Sequence, residues 1–174
     1  MLLKRAVEAD YSEVVEIVNL AFRGSGDVRS WNVERQFIEG QRITEPRLRE
    51  ELATNPDALL LVYRDQPGGP LLGSVWLQAR EDGVWYLGLL TIRPDLQKRQ
   101  LGRELLAAAE DYAKARGGHH MRMTVVNLRD TLIAWYVRRG YVLTGETQPF
   151  PYGDDRFGKP LRDDLYFVVL EKKI

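Results

Sequence analysis

The stretch "LTIRPDLQKRQLGRELLAAAEDYA", residues 90–113, constrains this chain more than any other. An apolar run halts at Pro94, and a basic turn follows. Then an apolar stripe at helical spacing begins: Leu101, Leu105, Ala109 and Tyr112. This pattern is a strand entering a helix through a short turn. Lys98, Arg99 and Arg103 sit where that helix starts, although unpaired N–H groups already make this end positive and local preference favours acidic residues. Amides and cations converging on one point suit an anion such as a phosphate. Gly102 alone matches neither nucleotide-binding glycine fingerprint, and the turn by itself also reads as an ordinary connection with solvated basic side chains.

The flanking pattern extends the α/β reading. "LLKRAV" reads as a short strand, and Asp10 caps a helix with Glu13 placed for a return contact and an apolar stripe of Val14, Val15, Val18, Ala21 and Phe22. Residues 23–43 lose periodicity while keeping Trp31, Phe37 and Ile38, which predicts a long loop or a broken helix, and a loop of that length is uncommon unless it has a task. "TEPRLREELATNP" predicts a helix capped by Thr44, with Pro46 in its first turn. Three strands follow ("ALLLVYRD", "PLLGSVWLQAR", "GVWYLGLLTIR"), then the helix from Leu101, the strand "MRMTVV", the helix "RDTLIAWYVRRG", and the strands "YVLTGETQPF" and "LYFVVLEKK". The order β-α-α-β-β-β-α-β-α-β-β predicts a mixed sheet with helices on its faces, one α/β domain over residues 1–174.

Charge is balanced, 25 basic against 25 acidic residues, so no basic excess points to nucleic acid or an anionic membrane surface. Cysteine is absent, which removes disulfides, a thiolate nucleophile and thiolate-bound metal from the chemistry. No segment approaches ~18 consecutive apolar residues, and the N-terminus has no long apolar stretch, so a cytoplasmic location is the expectation.

"LTIRPDLQKRQLGRELL" resembles the acetyl-coenzyme-A-binding segment of the GNAT superfamily of N-acetyltransferases, with Ile92, Pro94, Gln97, Leu101 and Gly102 on its positions. "LIAWYVRRGYVLTGE" resembles the family's later aromatic segment through Tyr136, Gly140 and Tyr141, and the element order follows the family's topology. The resemblance implies a single-domain GNAT-like fold, with a mixed, largely antiparallel sheet and helices on both faces. It implies N-acetyl transfer from acetyl-coenzyme A, as cosubstrate, to a primary amine by direct attack on the thioester. The backbone of Leu90, Thr91 and Ile92 would pair with the pantetheine arm in a slot between the splayed fourth and fifth predicted strands. The turn from Gln97 through Lys98, Arg99, Gln100, Leu101, Gly102 and Arg103 would hold the pyrophosphate. A strand amide near Leu89–Leu90 would support the oxyanion, and Tyr136 would protonate the departing thiolate.

Three positions depart from the family pattern. Gln100 stands where its turn has a first glycine, Arg129 where an asparagine is frequent, and Tyr86 where a glutamate base is frequent. The base is left open between a water chain ending on Tyr86 and a loop carboxylate. These departures keep a second reading, a non-catalytic acyl-coenzyme-A-binding module of the same fold. By helical spacing alone Tyr136 reads as core, as does Trp135. His119 and His120 read as solvated loop residues, since no acidic or sulfur ligand accompanies them, and no metal is expected. Asp154/Asp155 and Asp163/Asp164 bracket "RFGKPLR" and read either as a self-satisfied loop or as part of an acceptor mouth. The acceptor expected is a small-molecule or peptide amine of unspecified kind, with no nucleic acid or membrane partner; a homodimer is compatible with the resemblance.

Overall fold

The computed structural model of the chain describes residues 1–24 and 34–174, and the side chains of residues 97–99 lie outside the described set. Nine strands and four helices alternate along it. They are β1 (Lys4–Arg5), α1 (Tyr11–Arg23), β2 (Ile38–Glu39), α2 (Glu45–Thr54), β3 (Ala58–Tyr63), β4 (Gly73–Ala79), β5 (Val84–Ile92), α3 (Leu101–Lys114), β6 (His120–Val126), α4 (Asp130–Val137), β7 (Val142–Pro149), β8 (Lys159–Pro160) and β9 (Tyr166–Lys173). Seven strands form one sheet in the order β1-β3-β4-β5-β6-β9-β7, in which only the β5–β6 pair is parallel. The expected α/β class and largely antiparallel sheet are therefore the observed architecture.

Alternation along the strands sends side chains into two cores. Val75 and Leu77 of β4 join Trp85 and Leu87 of β5 against Leu105, Leu106 and Ala109 of α3, with Leu132 and Tyr136 of α4 in the same cluster. Trp76 points the other way, with Leu60 and Val62 of β3, toward Val14, Ile17 and Val18 of α1 and Leu48 of α2. Helices cover both faces, because a sheet apolar on both sides must bury both. The α1 start differs from expectation: Asp10 holds the N-cap position, but its side chain makes no capping bond to the helix. Glu13 accepts from the Leu71 amide at 2.6 Å and from Arg64 at 2.7 Å, not from the helix start. A 3₁₀ turn at Glu8–Asp10 precedes the helix, and Asp10 closes the return contact there by accepting from the Val7 amide at 2.9 Å.

Two irregularities in β5 open the sheet. Ser74 faces Thr91 and Trp76 faces Gly88, so one residue of β4 spans two of β5, Leu89 and Leu90. Leu89 takes the left-handed conformation (φ 48°) at this bulge, and its carbonyl accepts from the buried Thr91 hydroxyl at 2.9 Å. The extra residue flips the alternation. Trp85 and Leu87 face the α3 side before it, and Leu90 and Ile92 face that side after it. Ahead of the bulge β5 also parts from β6. Their ladder runs only from Val84↔His120 to Tyr86↔Arg122, whereas β6 stays paired with β9 along its full length.

A two-stranded ribbon, β2–β8, lies outside the main sheet. Ile38 pairs with Pro160 and Glu39 with Lys159, joining two stretches that sequence periodicity left blank. Gly158 permits this approach. Its φ is 99°, and an added Cβ would sit 2.6 Å from the Glu39 carbonyl oxygen.

Candidate active site

The split between β5 and β6 is the mouth of a cavity of about 730 Å³, inside the range of small-molecule sites. Leu87 to Ile92 form one wall, Met123 to Val126 of β6 the facing wall, and Gln100, Gly102 and Arg103 close one side. Leu90, Thr91 and Ile92, expected at a slot, do line one. On this edge β5 has lost its strand partner, so its backbone groups are open to an extended ligand.

At the turn, Pro94–Arg99 forms a 3₁₀ segment and α3 begins at Leu101. Gln100 is the N-cap residue in the left-handed region (φ 62°, ψ 3°), and its side chain makes no capping bond. Its carbonyl accepts from the amides of Arg103 (2.9 Å) and Glu104 (3.2 Å). The amides of Leu101 and Gly102 precede these first bonds, which leaves an uncapped, positive helix end beside the cavity. Gln100 thus adopts the conformation for which glycine is the usual residue at such a turn. The side chains of Gln97, Lys98 and Arg99 lie outside the described residues; their backbone is the 3₁₀ segment. Arg139, which sequence reasoning passed over, joins Arg103 on the wall. Its guanidinium lies 3.7 Å over the Trp135 ring and donates to the Trp135 carbonyl at 2.7 Å, while its buried Nε has no hydrogen-bond partner among the described residues. Burial, then the nearby Arg138 and Arg103 charges, lowers its pKa. Trp135, expected as core, packs on the core and also lines the cavity beside Gly102.

Tyr136 is 6 % exposed and lies on the cavity wall, its ring edge-on to Trp135 and Tyr141. Its hydroxyl makes no hydrogen bond among the described residues. Burial pushes its pKa well above the ordinary phenol range, against an opposing pull from Arg129. This side chain is therefore held protonated at neutral pH. Tyr86, on β5, faces it across the slot with its Oη 3.5 Å from Thr124 Oγ1 on β6. Gly88 makes room for that ring, since a Cβ there would stand 3.1 Å from Tyr86 Cε1.

The other end of the cavity is built from distant segments. Phe22 and Arg23 end α1, Arg42 precedes α2, and Phe150 and Phe157 come from the stretch between β7 and β9. Here Glu34 sits between two buried guanidiniums, with Arg23 Nη1 2.6 Å from one carboxylate oxygen and Arg129 Nη1 2.7 Å from the other. Arg23 also donates to the carbonyls of Gly40 (3.0 Å) and Phe157 (2.7 Å). One side chain so ties α1 to both stretches that sequence reading singled out as an acceptor mouth. Burial lowers the pKa of both arginines, and the Glu34 charge opposes this. The acidic pairs are less engaged. Arg156 donates to both oxygens of Asp154 (2.6 and 2.9 Å from Nε), and Arg162 does the same for Asp164. The Arg156 bonds hold the Asp154 carboxyl down to about 2. Those two carboxylates match the self-satisfied reading. His119 and His120 contact each other at 2.9 Å near Gly83, and neither lines the cavity. No group of three or more potential metal-ligating side chains occurs among the described residues. No helix among them is long and apolar enough to cross a membrane.

A sheet split beside a bulge, facing an uncapped helix start and a buried phenol, leaves a slot suited to an extended ligand that carries an anion. The family model of the GNAT acetyltransferases matches residues 26–141, and the chain belongs to that family. A mycothiol acetyltransferase of Beutenbergia cavernae is 30 % identical over 95 residues, 55 % of this chain and 32 % of that protein. The chain thus spans about a third of the length of the curated relative it matches. The fold superposes on a ribosomal-protein-alanine N-acetyltransferase from Brucella melitensis (TM-score 0.68, 19 % identity, 100 % of both chains). It also superposes on an aminoglycoside 6'-N-acetyltransferase complexed with coenzyme A (TM-score 0.66, 17 % identity, 99 % of this chain and 97 % of that one).

Proposed function

We propose that this protein transfers the acetyl group of acetyl-coenzyme A to a primary amine, with Tyr136 as the acid. The observation that carries this reading is the buried Tyr136 phenol, held protonated on the wall of the slot where β5 leaves β6. The pantetheine arm would lie along Leu90, Thr91 and Ile92. The amides of the turn, with the side chains of Arg103 and Arg139, would face the phosphates. Lys98, Arg99, Gln97, Gln100, Leu101 and Gly102 belong to the same proposed cradle. That acetyl-coenzyme A is the donor is supported by family membership and by the coenzyme-A complexes among proteins of this fold.

In the reaction the amine nitrogen attacks the thioester carbonyl carbon. A C–N bond forms, and the carbonyl oxygen takes negative charge beside the strained backbone of Leu89–Leu90. Collapse breaks the C–S bond and the thiolate takes the Tyr136 proton; the nitrogen gives one proton to solvent, and solvent returns one to the Tyr136 phenolate. Both glutamates on the wall are already bound by arginines, Glu34 by two and Glu51 by Arg47. That favours solvent reached through Tyr86 and Thr124 as the proton acceptor over a loop carboxylate. The cationic wall helps, because it lowers the pKa of an entering ammonium.

Thermal unfolding with and without acetyl-coenzyme A, paired with a thiol-release assay over an amine panel, tests the proposal. A ligand at a hundred times its dissociation constant stabilises by ~2.7 kcal/mol. An unmoved melting temperature at millimolar coenzyme overturns it, and so does coenzyme binding without thiol release from any amine.

A further inference from the structure

Among the described charged side chains on the cavity wall, arginines outnumber glutamates four to two: Arg23, Arg42, Arg103 and Arg139 against Glu34 and Glu51. Arg103 and Arg139 stand at the helix start. At the other end, Glu34 is shared by Arg23 and Arg129, and Glu51 accepts from Arg47 at 2.9 Å. Arg42 has no carboxylate partner among the described residues. Its guanidinium carbon lies over two rings, 5.7 Å from the Phe22 centroid and 5.5 Å from that of Phe157, a ring that Arg47 also approaches at 5.5 Å. Its backbone is pinned by the Asn19 side chain, which accepts from the Arg42 amide at 2.7 Å. Its charge reaches Arg23 and lowers the pKa of that already paired residue.

A half-buried guanidinium held by aromatic faces and left without an anion has its fork of donors unspent. Cation–π contact with the rings spends none of the guanidinium N–H donors, which stay available to a carboxylate. Phe150 and Phe167 stack nearby at 5.6 Å on the same wall and offer an apolar surface for the body of the molecule. A cationic polyamine would meet only like charge there, since each wall glutamate is already neutralised.

We infer that the acceptor amine carries a carboxylate, recognised by Arg42, on an apolar or aromatic body. This rests on the acetyl-transfer reading, and Arg42 is a specificity residue for it, not part of the chemical step.

The test compares matched acceptors in the thiol-release assay: phenylalanine against phenylalaninamide, leucine against leucinamide, and 4-aminobutanoate against butylamine, with spermidine as a cationic probe. Expected is a preference of about tenfold or more in kcat/KM for the carboxylate members, carried by KM, in line with a hydrogen bond to a charged group. Arg42→Gln should erase that preference while the thermal shift with acetyl-coenzyme A stays as in wild type. Arg42→Glu should reverse it toward spermidine, a gain that misfolding does not produce. Equal kcat/KM within each pair, or a wild-type preference for spermidine, overturns the inference and leaves acetyl transfer standing. Preference retained in Arg42→Gln assigns the carboxylate to another residue and also overturns it. Absence of turnover with every amine, together with an absent coenzyme shift, overturns the underlying reading instead.

Discussion

The two ends of the cavity are made in different ways. The helix-start end comes from one continuous stretch, β5 through α3, and offers mostly backbone: an unpaired strand edge, a bulge and uncapped amides. The far end draws on α1, residues 34–43, Arg129 and residues 150–160, and offers side chains held by a buried charge cluster. A backbone surface tolerates sequence change, because every residue brings the same amide. A side-chain surface changes its chemistry with each substitution. One end therefore suits a ligand common to many enzymes and the other a ligand particular to this one.

The largest effect that would break this contrast concerns Glu34. Replacing it with Ala leaves Arg23 and Arg129 buried without their shared anion, and removing one member of such a group typically costs ~3–5 kcal/mol. Calorimetry should show a fall in melting temperature of about 10 °C, at ~2–4 °C per kcal/mol for a chain of this size. The stabilising shift with acetyl-coenzyme A should persist. Loss of that shift together with stability would show the two ends to be one cooperative unit.

Next in size is the acid proposed here, Tyr136. Tyr136→Phe keeps the ring and removes the hydroxyl, and a positioned acid contributes ~100- to 10,000-fold. Turnover should drop at least about tenfold with coenzyme affinity preserved, whereas Trp135→Phe should act on stability and coenzyme binding. The same phenol has a pH signature. Its pKa is raised on folding by burial, as is that of Tyr141, where burial acts first and Glu110 second. A raised phenol pKa means that the stability contribution is complete below the unfolded value of ~10 and is lost as pH rises beyond it. Urea unfolding at increasing alkaline pH should show this decline, reduced in Tyr136→Phe and Tyr141→Phe.

A smaller change sharpens the backbone reading. A Cβ at Gly102 would find ordinary contacts, 3.6 Å from Trp135, so Gly102→Ala should fold normally. It should weaken acetyl-coenzyme A binding about fivefold, equivalent to ~1 kcal/mol for one hindered hydrogen bond. Normal affinity would remove the Gly102 amide from the cradle.

The smallest expected effect is at Gln100. The left-handed conformation costs a non-glycine residue ~1–2 kcal/mol, and glycine's extra freedom when unfolded costs ~0.5–1 kcal/mol in return. Gln100→Gly should thus raise stability by about 0.5–1 kcal/mol, measured by urea denaturation, with coenzyme affinity equal or tighter. A loss of stability would mean that the Gln100 side chain contributes something its backbone strain conceals.

Much of the fold was legible because it is periodic. The stripe Leu101–Leu105–Ala109 marks a helix wherever it occurs, and Leu105 and Ala109 are indeed buried against the sheet. The bulge at Leu89–Leu90 was not legible. "VWYLGLLTI" is apolar at nearly every position, so a flip of its alternation leaves no trace in residue type. The ribbon β2–β8 escaped for another reason: two-residue strands carry no period at all.

Tyr136 stood out only by family resemblance, and the amino-acid order by itself determined the longer helices and strands and the strand–turn–helix at residues 90–113. These follow from local spacing and from preferences acting over a few residues. Tertiary structure alone decided that Glu34 would bridge Arg23 and Arg129, that Arg42 would lie over Phe22 and Phe157 with no carboxylate partner among the described residues, and that Arg139 would join Arg103. Such pairings join residues far apart in the chain. A charge declares its sign in the sequence, but its partner and its solvation are set only when the fold excludes water around it.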